Sequence, residues 1–156
     1  MKDLQTDITS MVTDHGLNLP KDITDEQHNE VGMLIANIEK STQWAKGDWY
    51  NTIPHGDKAA ACKRAGLSYR AASECGRICA RFPMTARTVI LTFKHHELLA
   101  YHDLTDQQRS DLLLRAENGD TGERPWSTRK LIEERDKVLG TWVEPPKDIS
   151  ADEITV

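Results

Sequence analysis

Gly66-Leu67-Ser68 constrains this chain more than any other three residues. Before it, Lys58 to Ala65 (KAAACKRA) is Ala-rich and can be capped by Asp57. After it, Tyr69 to about Phe82 (YRAASECGRICARF) places Ala71, Cys75, Ile78 and Phe82 at i, i+4, i+7 and i+11, with Ala72 and Cys79 alongside. That spacing predicts an amphipathic helix with one buried stripe. Gly66 is a natural left-handed helix stop and Ser68 a natural N-cap, so the spacing predicts helix, tight turn, helix. Tyr69, Arg70, Ser73, Glu74, Arg77 and Arg81 fall on the face opposite the stripe. Two helices joined by a short Gly-containing turn form the helix-turn-helix pattern, whose second helix can enter a DNA major groove. The same pair can also be an ordinary part of a helical bundle.

The flanking segments predict more helices and no strands. Residues 1–23 are polar and acidic, broken by Gly16 and Pro20, and are expected to form a flexible arm. Thr24-Asp25-Glu26-Gln27 fits a capping box, and Val31, Leu34, Ile35 and Ile38 continue as an apolar stripe to about Thr42. Gly47, between Trp44 and Trp49, is expected to stop this helix, with the two Trp clamping it onto the next unit. Pro54 and Gly56 mark a loop. Pro83 ends the Tyr69 helix, and Met84 to Leu91 is a connector. Thr92 opens a helix to about His102; Thr105 opens another, carrying Leu112, Leu113 and Leu114 and closed by Asn118-Gly119; and Ser127 opens the last, to Leu139 and Gly140. The expectation is an all-α, small multi-helix bundle over residues 24–140, followed by a disordered acidic tail over 141–156 containing Pro145-Pro146.

Charge is unevenly spread. The 156 residues carry a formal −5, yet residues 56–104 hold eight Lys or Arg and four Asp or Glu, or +4, leaving −9 for the rest. Phosphate attraction is screened beyond about 10 Å at 0.1 M salt, so the local surplus matters more than the total. Cys62, Cys75 and Cys79 make no even-numbered disulfide framework and read as buried thiols of a cytosolic protein. The N-terminal MKDLQTDITS lacks a signal-peptide apolar core, and no run is long enough to span a membrane. A cytoplasmic, nucleoid-associated protein is expected.

Catalytic and metal patterns are weak. Lys94-His95-His96-Glu97-Leu98-Leu99-Ala100-Tyr101-His102 nearly spells H-E-x-x-H, but Ala100 stands where the second zinc ligand must be, and His102 is rotated away from His96. No phosphate loop, Ser/His/Asp order or activated Cys is evident, and Glu133-Glu134 read as a solvated helix face. The expectation is no enzyme, no cofactor and no metal. In the DNA reading, Arg70 and Ser73 face bases, Glu74 accepts from cytosine, and Arg77 and Arg81 meet phosphates beside Lys63, Arg64, Ser68 and Tyr69. Lys94 and His95 would add phosphate contacts, with helix packing the other role open to His95 and His96.

Across Ala59 to Arg135 the pieces AACKRAGLSYRAASECGRICARFP, LTFKHHELLAYHDL, TDQQRSDLLLRAEN and WSTRKLIEER follow one another. In this order they resemble the central DNA-binding region of ParB/KorB-like partition and regulator proteins. His96 falls near that family's helix histidine, and Ser127 to Leu131 matches its last motif. The family's nucleotide-binding region is not visible in residues 1–55, so the resemblance implies a DNA-binding module without CTP-driven sliding. It fits a transcriptional regulator or partition accessory of a phage or plasmid. One helix-turn-helix covers about one half-site, so the expected partners are double-stranded DNA and a second copy, as a homodimer or cooperative array. A second reading is a small acidic interaction protein that modulates a host protein through Trp44, Trp49 and the acidic tail.

Overall fold

A computed structural model describes residues 10–101, 103–122 and 124–146. The fold is a small all-α bundle. Helix α1 spans Asp25–Thr52, α2 Lys58–Ala65, α3 Tyr69–Arg81, α4 Phe93–Ala100, α5 Asp106–Asn118 and α6 Thr128–Leu139. Single 3-10 turns at His55–Asp57 and Met84–Ala86 link α1 to α2 and α3 to α4.

Most helix starts follow from caps; Asp57, expected to cap α2, makes no side-chain capping bond, and the 3-10 turn leads into that helix instead. Thr24 and Thr105 accept from the backbone N–H of Gln27 and Gln108, whose side chains return the bond to the capping residue. Ser68 and Ser127 accept from Ala71 and Lys130. Gly66 and Gly140 end α2 and α6 in the left-handed conformation, φ 70° and 72°.

Three expectations need correcting. Residues 10–23 are not without strands: Val12–Thr13 and Gly16–Leu17 pair as a minimal antiparallel hairpin, Val12 opposite Leu17. The part of the expected arm at 1–9, and residues 147–156 of the expected tail, lie outside the described residues. The tail's first residues dock: the Thr141 and Trp142 N–H groups bond the Asp136 carbonyl, and Lys137 lies over the Trp142 ring at 5.7 Å. Gly47 does not stop α1, which runs five residues further, to Thr52. It is buried against α3, where a Cβ would stand 2.5 Å from the Cys75 carbonyl oxygen. Gly76 returns the fit from α3, since a Cβ there would lie 2.7 Å from Tyr50 Cδ1. Two side-chain-free positions let the helices cross at close range, and backbone packing overrides the helix-breaking tendency of glycine.

Around that crossing, Asn51 donates to the Gly76 carbonyl at 2.9 Å and the Cys79 thiol to the Trp44 carbonyl at 3.4 Å. The main core lies beyond it: Ile78 of α3 and Phe82, its C-cap, cluster with Phe93, Leu99, Leu112, Leu113, Ala116, Trp126 and Leu131. A second, smaller cluster of Tyr50, Cys62 and Ala72 joins α1, α2 and α3, with Trp49 packed on it. Trp44 packs edge-on against Phe93 and His96, at 4.7 and 4.8 Å. Both Trp pack inward as clamps would, each of them partly buried.

Candidate nucleic-acid interface

Helix α3 is presented by what lies behind it. Its buried residues, Ala72, Cys75, Gly76, Ile78 and Cys79, face α1, α2 and the core. At about 100° per residue, Tyr69, Arg70, Ser73, Glu74, Arg77, Ala80 and Arg81 share the opposite face. The arginines are exposed; the Arg70 side chain is 88% accessible and touches Glu74 only at 3.5 Å. Arg77 lies over the Tyr101 ring at 4.6 Å, a stacking that orients the guanidinium without neutralising it. At the end of α2, Lys63 and Arg64 are also exposed. Lys63, Arg64, Arg77 and Arg81 form no ion pair among the described residues.

The turn end of α3 is less open. The Ser68 hydroxyl is engaged in capping. Ser73 turns to the Tyr50 hydroxyl, and with Tyr69 it holds that phenol below its ordinary pKa. Tyr69, hydrogen-bonded to Tyr50, is raised in turn. The two rings lie 6.0 Å apart, and Lys58 sits 4.1 Å from the Tyr50 ring centre while donating to the Tyr50 carbonyl. Tyr69 is therefore half-exposed but anchored, and Ser73 faces inward more than expected.

His95 is not a phosphate contact. Buried at 7% exposure, it accepts from the Thr92 N–H through Nδ1 and donates through Nε2 to the Trp126 carbonyl at 2.9 Å, tying α4 to the start of α6. Both ring nitrogens are used, so packing is its role. Neighbouring His96 is fully buried: its Nδ1–H donates to the Thr92 carbonyl at 2.9 Å and Nε2 accepts from the Thr88 N–H at 3.3 Å. Burial lowers the His96 pKa, which keeps the ring neutral. Lys94 is exposed but bound to Glu97 at 2.6 Å.

Arg87 also leaves the surface. Its guanidinium grips Asp48 of α1 through two 2.7 Å bonds, its Nε donates to the Phe82 carbonyl, and it stacks over Trp44 at 4.3 Å. The hydrogen bond from Arg87 holds the Asp48 carboxyl below its ordinary pKa. Because Asp48 lies outside residues 56–104, the local surplus there falls from +4 to +3 once this pair is removed. Nothing short of the fold identified Asp48 as the partner of Arg87, 39 residues away.

Burial raises the Cys75 thiol pKa and pushes that of Cys79 up to about 12, so neither is a thiolate at neutral pH. Among the described residues no three His, Cys, Asp or Glu side chains converge as a metal site, and no helix is long and apolar enough to cross a membrane. His102 lies outside the described residues. No family model, curated protein or solved structure matches this chain.

Proposed function

We propose that the α2–α3 unit is a helix-turn-helix that binds duplex DNA, with α3 in the major groove. The observation that carries this reading is the division of α3 into two faces. One is locked to α1 by the Gly47 and Gly76 crossing, and the other offers Arg70, Arg77 and Arg81 to solvent with Glu74 as its one acid. A rigid helix with bidentate donors along its outer side suits base and phosphate contact at once. Arg70, near the N-terminal end of α3, reads base edges; Arg77, Arg81, Lys63 and Arg64 meet phosphates. The ParB/KorB-like order of the helices points the same way, toward a regulator or partition accessory of a phage or plasmid.

Fluorescence anisotropy with labelled genomic duplexes tests this. Arg70→Ala should lose preference among sequences. Arg81→Ala should weaken all sequences alike and lower the slope of log K against log salt by about 1. Absence of salt-dependent binding by the unaltered protein at about 50 mM salt would sink the reading.

A further inference from the structure

Among the described residues three arginines lie over aromatic rings, and two of them are completed by an acid. Arg87 stacks on Trp44 at 4.3 Å and gives its edge N–H groups to both carboxylate oxygens of Asp48 at 2.7 Å. Arg115 stacks on Trp126 at 4.9 Å and donates to Glu134 at 2.9 Å. A ring covers the face of a guanidinium and leaves its in-plane donors free, so face and edge can serve two partners at once. Arg77 has the same ring contact, with Tyr101 at 4.6 Å, but pairs with no acid among the described residues. Glu74, one turn earlier on α3, touches Arg70 instead, and Glu97, one turn before Tyr101, is held by Lys94 at 2.6 Å. Both members of the pair reach solvent: Arg77 is exposed and Tyr101 is 42% exposed.

We propose that a DNA phosphate takes the acid's place on Arg77, and that Tyr101 is a positioning residue of the interface, its ring holding the guanidinium for bidentate contact with two phosphate oxygens. The inference rests on the reading of α3 as the DNA-facing helix and adds α4 to that surface. Tyr101 is the C-cap of α4, so ring and cation come from different elements. Their spacing is set by the core: Cys75 and Ile78, on the turns flanking Arg77, share one buried cluster with Leu99 and Ala100, which precede Tyr101. A long side chain free in solvent gives up rotamer freedom on binding, and one already resting on a ring gives up less. Arg70 and Arg81 stand over no ring among the described residues. Arg77 is therefore the pre-set phosphate contact of the face, and α4 serves DNA through Tyr101 where Lys94 and His95 are already engaged.

Anisotropy of the full chain with a labelled duplex separates the ring from the charge. Tyr101→Leu keeps apolar bulk and removes the aromatic face; it should weaken binding about fivefold. Tyr101→Phe keeps the face and should bind within about twofold of the parent. In an Arg77→Ala background, Tyr101→Leu should cost less than about twofold, since the ring then has no cation to hold. Three results overturn the proposal in a parent that binds DNA: Tyr101→Leu binding as tightly as the parent, Tyr101→Phe binding as weakly as Tyr101→Leu, or an equal loss from Tyr101→Leu with and without Arg77. The third includes a loss through damaged folding, which would show in both backgrounds alike. A parent that binds no duplex ends the reading of α3 as well, so the two failures are distinct.

Discussion

The arginines of α3 and three of those that follow it have the same chemistry and opposite fates. Arg70, Arg77 and Arg81 stand in solvent, while Arg87, Arg109 and Arg135 lie inside. What separates them is a waiting acceptor. Helix α4 is only eight residues long, and the last carbonyls of any helix have no partner within it. Arg109 Nε donates to the Leu99 carbonyl and Arg135 to that of Leu98, so two buried guanidiniums finish α4 where a glycine cap would otherwise serve. Helix α3 ends with the Phe82 N–H on Ile78 and the Phe82 carbonyl taken by Arg87, so its own arginines have no such duty. A cation on a short helix in this fold is structural when a neighbouring backbone end needs it and exposed when none does.

The sharpest way to break that contrast is Arg109→Ala. Arg109 is 4% exposed and binds Asp106 and the Leu99 and Leu104 carbonyls. Its loss leaves two buried carbonyls unpaired and a hole between α4 and α5, an expected cost of about 3 kcal/mol by urea denaturation. Arg109→Lys should restore less than half, because an ammonium cannot span the three acceptors. A variant as stable as the parent would show that the buried arginines are incidental.

Next is Arg87→Ala, expected to cost about 2 kcal/mol. The pair with Asp48 is bidentate, but the Asp48 side chain is 39% exposed, so solvent softens its loss relative to a fully buried pair. Asp48→Ala should cost less than Arg87→Ala, since Arg87 keeps the Phe82 carbonyl and the Trp44 ring. Equal costs would mean that the charge pair alone matters.

How much of this was legible beforehand follows from the range of each interaction. Caps and stops act over three or four residues, so Thr24, Ser68, Thr105, Ser127, Gly66 and Gly140 marked their boundaries within about a residue. Gly47 was misread because its meaning is set by Cys75 and Cys79, about 30 positions away. The Val31–Ile38 stripe was periodic as expected, yet it is residues 44 to 51 of the same helix that meet α3, since periodicity reports a face and not what covers it. His95 looked like a phosphate contact beside Lys94; only the placement of Trp126 shows its Nε2 already taken. The arginines of the outer face of α3 were legible, because exposure there requires no distant partner, whereas the turn of Ser73 and Tyr69 toward Tyr50 was not.

Between the inside and outside arginines in expected effect stands a titration. His96 has its pKa lowered by burial, so the unfolded chain binds the proton more readily than the folded one. Its contribution is therefore complete above about 6.5, the unfolded value, and is lost as pH falls below it. The geometry gives the reason: a proton on Nε2 would face the Thr88 N–H, donor against donor. Urea midpoints should fall between pH 6.5 and 5 in the parent and flatten in His96→Leu, whatever that substitution costs at neutral pH. A parent midpoint constant over that interval would remove the neutral-ring account.

The smallest effect on stability is expected at the three outer arginines. Arg70→Ala, Arg77→Ala and Arg81→Ala remove no buried bond, and the Arg70–Glu74 contact is a long, exposed i,i+4 pair. Each urea midpoint should match the parent within error, with Arg77→Ala showing any residual loss because it gives up the Tyr101 ring. Combining the three should still leave the midpoint unchanged, since nothing in the interior is disturbed and mutual repulsion along the face is relieved. If the triple variant instead unfolds as readily as Arg109→Ala, the outer face is part of the scaffold, and an outward binding role for α3 fails with it.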